Sequence, residues 1–331
     1  MHKSLYNRYF SGSKVCVYAE SNNVVQEGYL EYSGRKVPIT KGIPRFVEDS
    51  GEYDNFAIQW NAFSSTQLDK VRKRHSNRNR LFSNTGWEID DMKNKTVLEA
   101  GSGAGRYTEV LLDTGASVVS FDYTKAVDAN YNNNMNDNLF LFQGDIYDIP
   151  FEDNYFDYIF CYGVLQHTPY PEDAFKMLFN KLKPKGKLSI DYYVKMDRPS
   201  VWYTPKYIWR PFTTKIPKSL LLKWVKLYVP LWLPFDTFIK HLLYKIPRFG
   251  HMIAGLIPIP CWNYLGSGMG WRERLQWAIL DTYDALGAAY DKPKTMDEVV
   301  EMVSLDCAEV ESVFYGSNGI VANVIKSGEK A

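Results

Sequence analysis

The chain has 331 residues, 45% hydrophobic and 23% charged, the proportions of an ordinary globular protein long enough for one well-buried α/β core with additions. Thirty-nine Lys and Arg against 38 Asp and Glu leave a formal net charge of +1, which gives no global reason to expect nucleic-acid binding, so any basic surface must be local. Cys16, Cys161, Cys261 and Cys307 lie far apart with no CxxC pair, which argues against a zinc knuckle, a disulfide scaffold or an iron–sulfur cluster, and no metal is expected.

The opening MHKSLYNRYFSGSK lacks the apolar core of a signal peptide. From about Lys14 to Val47, apolar and polar residues alternate between turn signals at Glu20 to Asn23 and Ser33 to Arg35, which predicts a small β-rich module over 1–50. Residues 51–92 carry Phe56, Trp60, Phe63, Leu68 and Val71 among many Arg and Lys and read as a helical linker or lid.

Thr96 to Ala100 is a predicted strand, Gly101 to Gly105 a tight turn, and a helix follows to about Thr114. Further strands are expected at Ser117 to Asp122, Leu139 to Gln143, Tyr158 to Tyr162 and Lys187 to Tyr192, with helices near Tyr131 and from Pro171 to Leu182. Strands alternating with helices at this spacing imply a parallel, doubly wound sheet. Val310 to Tyr315 and Gly319 to Lys326 form a predicted hairpin turned at Ser317-Asn318. The fold class is therefore α/β: a Rossmann-like doubly wound sheet with a terminal antiparallel hairpin, a small N-terminal β module and a helical insertion. The core is placed at 93–195 and 266–331, with helices over Trp271 to Leu286 and Thr295 to about Val303, and the insertion at 196–265. Met252 to Trp271 is uncharged and as long as a membrane span, but Pro258, Pro260 and four glycines argue against a continuous helix.

Chemistry concentrates at the strand ends. The turn Glu99-Ala100-Gly101-Ser102-Gly103-Ala104-Gly105 follows a strand and opens a helix, so its backbone can approach a ligand and present N–H groups. A dinucleotide fingerprint would need a sixth-position glycine where Arg106 stands. Asp122, seventeen residues beyond Gly105, ends the second strand, where a carboxylate can accept both hydroxyl hydrogens of a ribose. Asp145, beside Ile146, ends the third, where it can accept from an adenine amino group. The run to His167 leads out of the fourth.

VLEAGSGAGRYT, FDYT, GDIYDIPF, FDYIFCYGVLQHT and LKPKGKL resemble, in order, the motifs of the class I S-adenosylmethionine-dependent methyltransferase family over about 100 residues. The resemblance implies S-adenosylmethionine as cofactor, with Glu99, Gly101 and Gly103 around its methionine part, Asp122 at the ribose, Asp145 and Ile146 at the adenine, Cys161 and Tyr162 lining the floor, and Tyr123 as a further cofactor contact. VPITKGIPRF followed by QWNAF resembles the zinc-ribbon-like module that precedes some bacterial methyltransferases of sugar and secondary-metabolite pathways. Only Cys16 remains of the paired cysteines, so zinc does not carry over.

Methyl transfer to a hydroxyl needs a base, and His167 is the first candidate, with Asp191 and Tyr192 at the end of the fifth strand as the second. Between Lys195 and Arg248 stand eleven basic residues and two acidic ones, interleaved with Trp202, Tyr203, Trp209, Trp224 and Trp232. This basic, aromatic stretch suggests a lid for an anionic or lipid-linked acceptor, or an oligomer contact. The expected function is methylation, by preference O-methylation, of a small molecule or glycan in surface-polysaccharide or secondary metabolism. RNA methylation and a non-catalytic ligand-binding protein are the alternatives. The expected location is the cytoplasm, with peripheral membrane contact left open.

Overall fold

The computed structural model describes residues 1, 3–10, 14–21, 24–48, 56, 58–60, 63–72, 75–195, 205–246, 250–255 and 257–328. Arg198, Trp202, Tyr203 and Arg248 of the expected insertion lie outside them. The chain divides into two compact units, Met1–Glu52 with Gln67–Lys195 and Tyr290–Ala331, and Tyr53–Thr66 with Met196–Ala289.

The first unit is built on two sheets. Strands β1 (Lys14–Ser21), β2 (Val24–Tyr32), β3 (Arg35–Thr40) and β4 (Ile43–Pro44) form an antiparallel sheet in sequential order. A helix at Lys3–Tyr9, for which the expected β-rich module has no counterpart, buries Leu5, Tyr6 and Tyr9. The second sheet has seven strands: β5 (Thr96–Ala100), β6 (Ser117–Asp122), β7 (Leu139–Gln143), β8 (Phe156–Cys161), β9 (Leu182–Tyr192), β10 (Ala308–Gly316) and β11 (Gly319–Lys326). Their order is β10-β11-β9-β8-β5-β6-β7, parallel from β9 to β7 and antiparallel through β11 and β10. This is the Rossmann-like sheet with a terminal hairpin that the periodicity implied.

The parallel strands read as continuous apolar runs because both faces are covered: even in β7, every residue of Leu-Phe-Leu-Phe-Gln is buried. The sheet's edge at β7 is capped by the N-terminal module. Phe46 N donates to Gln143 O at 2.8 Å, and Arg45 reaches Asp128 at 2.6 Å and Gln143 Oε1 at 3.1 Å. Tyr6, Tyr9 and Phe10 pack against Phe140 with ring centroids 5.1–5.8 Å apart. An exposed strand edge is thereby closed, and the small module shares its core with the large sheet instead of needing one of its own. The helix Pro171–Lys181 starts with Pro at its first turn and acidic Glu172 and Asp173 beside it, and ends at Lys181, the polarity its dipole favours. Met296–Val303 opens on a capping box formed by Thr295 and Glu298. β9 begins at Leu182, five residues before the expected strand, because Leu182 already pairs with Phe156.

The second unit is helical. Its long helix, Lys218–Leu243, packs on Trp271–Gly287 through a seam of Leu221, Val225, Val229 and Leu233 with Ala278, Tyr283 and Leu286. Arg210, on the helix Lys206–Thr213, donates to the carbonyls of Ala285 and Ala288 at 2.9 and 2.8 Å, satisfying the end of the Trp271–Gly287 helix. Two expected boundaries differ from this division. Residues 53–66 of the predicted linker and 266–289 of the predicted core belong to the second unit, since Trp271–Gly287 buries its apolar face against the insertion helix. Among the described residues no helix is long and apolar enough to cross a membrane, and no group of three or more His, Cys, Asp or Glu is placed to hold a metal ion.

Candidate active site

In an open parallel sheet, ligands bind beyond the carboxyl ends of the strands where the strand order reverses. Here the reversal lies between β5 and β8, and the glycine turn leaves β5 at that point. Gly101, Gly103 and Gly105 have φ of 73°, 52° and 86°, in the left-handed region that L side chains rarely adopt. Gly101 N and Ser102 N both donate to Phe121 O, at 2.8 and 2.9 Å, so the turn is stitched to the end of β6. At Gly105 a Cβ would stand 2.1 Å from Asn130 Oδ1 and 2.2 Å from Asn134 Nδ2, while Asn134 donates to the Gly105 carbonyl. The contact is a close one between the turn and the helix Ala126–Asn134, and only glycine allows it.

Asp122 closes the turn from the other side. Its Oδ2 accepts from Gly103 N at 2.9 Å and its Oδ1 from Thr124 N and Oγ1 at 2.9 and 2.8 Å. Burial pushes its carboxyl above the ordinary range against these hydrogen bonds. Three of roughly four acceptor positions are used, and the residue stays half-buried. Tyr123 holds Gln143 Nε2 on its carbonyl at 2.9 Å. At the end of β7, Asp145 Oδ1 accepts from Tyr147 N at 3.0 Å, and Ile146 is buried. At the end of β8, Cys161 is fully buried, its thiol driven well above its usual value by desolvation, which keeps it protonated and unreactive. Tyr162 stacks on Phe160 and shares a hydrogen bond with Ser189 Oγ at 2.9 Å, so its hydroxyl is committed to the sheet.

Glu99 occupies a different position from the other acidic residues. It is 2% exposed, and its Oε2 accepts from both Thr108 Oγ1 and Ser120 Oγ. These contacts make it a brace between β5, β6 and the following helix. Burial pushes its carboxyl from 4.5 up to about 7. A carboxyl raised on folding stabilises most below its unfolded value, and that contribution is lost as pH rises through the folded value. Stability from this residue is therefore complete below pH 4.5 and declines towards pH 7. Glu99→Gln, which keeps the shape without the charge, is expected to flatten the fall in urea midpoint across that interval. An unchanged slope would reject the assignment.

The base candidates separate clearly. His167 lies on a 3₁₀ turn after β8, 7% exposed, with Nδ1 2.8 Å from the carbonyl oxygen of Tyr290 and its ring edge-on to Tyr193 at 5.3 Å. A carbonyl only accepts, so Nδ1 carries the hydrogen and, in the neutral ring, Nε2 carries the lone pair. Asp191 is instead tied down: Oδ1 accepts from Gly163 N at 2.5 Å, and Oδ2 meets Arg80 at 3.1 Å and Asn318 at 3.4 Å. It links the ends of β8 and β9 to the helix Ser76–Thr85, with its oxygens already engaged by three donors. Tyr192 is fully buried, and burial drives its hydroxyl above the ordinary tyrosine range.

Two features of the site have no role in the sequence motifs: the unpaired hydroxyl within the turn and the Gln166 side chain. Ser102 Oγ and both amide atoms of Gln166 are buried without a hydrogen-bond partner. Lys292 N donates to the Gln166 carbonyl at 2.9 Å, fastening the segment after Ala289 to the turn that carries His167. Buried polar groups are almost always satisfied, so these atoms, like Tyr192 Oη at the end of β9, have bonding capacity that the protein's own groups do not fill.

Residues 98–190 match the family model described as a methyltransferase domain. Over 107 residues the chain is 31% identical to the sterol 24-C-methyltransferase of Schizosaccharomyces pombe, covering 30% of this chain and 28% of that one. Over 127 residues it is 31% identical to the tRNA U34 carboxymethyltransferase of Nautilia profundicola, covering 34% and 42%. The match thus spans less than half the length of these relatives. Among solved structures, the magnesium protoporphyrin IX methyltransferase of Synechocystis aligns over 84% of this chain and 96% of its own, with 12% identity and a TM-score of 0.45. Residues 98–190 thus carry a methyltransferase domain.

Proposed function

We propose that the whole protein transfers a methyl group to a hydroxyl of a small-molecule or glycan acceptor, in the manner of bacterial sugar and secondary-metabolite methyltransferases, with His167 as the base. The observation that carries this reading is the 2.8 Å hydrogen bond from His167 Nδ1 to the Tyr290 carbonyl, which sets the imidazole tautomer needed to receive a proton.

The residues present fit the cofactor. Ser102 Oγ is a buried orphan within the glycine turn, and the alternating left-handed glycines leave a backbone cradle without side chains. Asp122 would accept from the ribose hydroxyls with its remaining lone-pair capacity, beside Tyr123. Asp145 would meet the adenine amino group with the oxygen that Tyr147 does not occupy, against the apolar wall of Ile146. Gly101 and Gly103 would leave room for the methionine part, and Cys161 and Tyr162 would supply a dry floor. Glu99 acts indirectly, by bracing β5 against β6 and the helix that follows the turn. When bound, S-adenosylmethionine supplies an electrophilic methyl on a positively charged sulfur. The protein's part is to align the acceptor oxygen with that methyl, to exclude water, and to take the hydroxyl proton at His167 Nε2. The N-terminal module, with Cys16 as its single cysteine, is a metal-free packing element.

A nucleic-acid acceptor is the second reading, supported by the tRNA-modifying relative and the basic stretch after Lys195; the net charge of +1 weighs against it. Incubation with methyl-labelled cofactor and a panel of glycans, small-molecule alcohols and RNA separates the two. Label is expected on hydroxyl acceptors. Transfer to RNA alone would overturn the proposal.

A further inference from the structure

The long helix of the second unit is apolar on two faces. Its inner face fills the seam with Trp271–Gly287. On the opposite side Leu220, Trp224, Leu227, Leu231, Phe235 and Phe238 are all exposed, the last five by 63–70%, and Leu242 continues the row. At about 100° per residue these positions fall within an arc of about 80°, and at 1.5 Å per residue they run for roughly 33 Å. Scattered exposed leucines need no account, but a continuous aromatic and aliphatic stripe of this length marks an interaction surface.

Charge identifies what the stripe meets. Lys223 and Lys226 are exposed along one flank, and Lys215 and Lys245 are exposed just beyond the helix ends. The helix's one acidic residue, Asp236, is fully buried, bonded to Lys240 at 2.9 Å and to Asn263 at 2.5 Å. The outward face therefore presents apolar side chains and positive charge, with no negative charge from the helix itself. A second copy of the same face would set lysine against lysine. The helix also carries Pro230 and Pro234, which deny the carbonyls of Lys226 and Pro230 their usual donors and suit a hydrated interface better than a hydrocarbon interior.

We propose that the Lys218–Leu243 helix lies in the plane of an anionic lipid bilayer, its Leu220-to-Leu242 stripe seated among the acyl chains and Lys223 and Lys226 against the headgroups. Trp224 sits near the start of the stripe, where an indole's apolar body and polar N–H suit the boundary between chains and water. This docking is independent of which acceptor is methylated.

The test uses the full chain with vesicles of phosphatidylcholine alone and of the same lipid doped with phosphatidylserine. The protein should float with the doped vesicles at low salt, bind them about tenfold or more tightly than the neutral ones, and weaken at high salt. Tryptophan emission should shift to the blue on binding, and Trp224→Phe should remove most of that shift. Leu231→Asp with Phe235→Asp alters only exposed positions, so the thermal midpoint and cofactor affinity should hold while vesicle binding falls about tenfold or more. Lys223→Gln with Lys226→Gln should abolish the preference for the doped vesicles. Failure to float at low salt overturns the proposal, as does a double aspartate variant that binds like the parent. Self-association that the aspartates break, without vesicle binding, makes a second copy the occupant and overturns it too.

Discussion

His167→Ala is expected to lower the turnover number by about 10²- to 10⁴-fold on a hydroxyl acceptor, the range a positioned general base contributes. Affinity for S-adenosylhomocysteine should stay close to the parent's, because the ring is anchored by the Tyr290 carbonyl, and the expected cofactor contacts lie on other residues. His167→Gln keeps a side chain able to donate to the Tyr290 carbonyl but offers no basic nitrogen, so it should be nearly as slow. That pair of variants distinguishes a proton acceptor from a residue that only packs. Turnover retained in either variant rejects the base.

Asp122→Ala is expected to weaken cofactor binding by about 10- to 150-fold, the equivalent of the roughly 1.5–3 kcal/mol carried by hydrogen bonds to a charged group. Two losses combine in this figure. The ribose hydroxyls lose their acceptor, and Gly103 N and Thr124 lose the carboxylate that holds the turn against β6. Asp122→Asn retains one carbonyl oxygen and should fall between the two. Calorimetric titration with S-adenosylhomocysteine reads the effect directly, and unchanged affinity in the alanine variant refutes the ribose role.

The parts of this protein that were legible in its sequence are those fixed by neighbours along the chain. The β5 to glycine turn to helix unit, the buried runs of β6 and β7, and the Pro171 helix each carry their own period and end signals, and the structure places them within a few residues of expectation. What escaped depends on partners remote in sequence. Nothing near His167 announces that a carbonyl 123 positions away fixes its ring. Asp191 looks like a free carboxylate at a strand end until Arg80, 111 residues earlier, is found beside it. The helix Lys3–Tyr9 exists because Tyr6 and Tyr9 find Phe140, and the division of 53–66 and 266–289 follows from which apolar face each segment buries. Glu99 shows the same dependence: its motif position suggests the ligand, whereas its hydrogen bonds go to Thr108 and Ser120.

The most direct test is a crystal structure of the protein with S-adenosylhomocysteine. The nucleoside should lie across the carboxyl ends of β5, β6 and β7, its ribose on Asp122, its adenine beside Asp145 and Ile146, and its sulfur facing the His167 side of the β8 end. Density for the ligand anywhere else, or strand ends that stay closed to it at saturating concentration, contradicts the account.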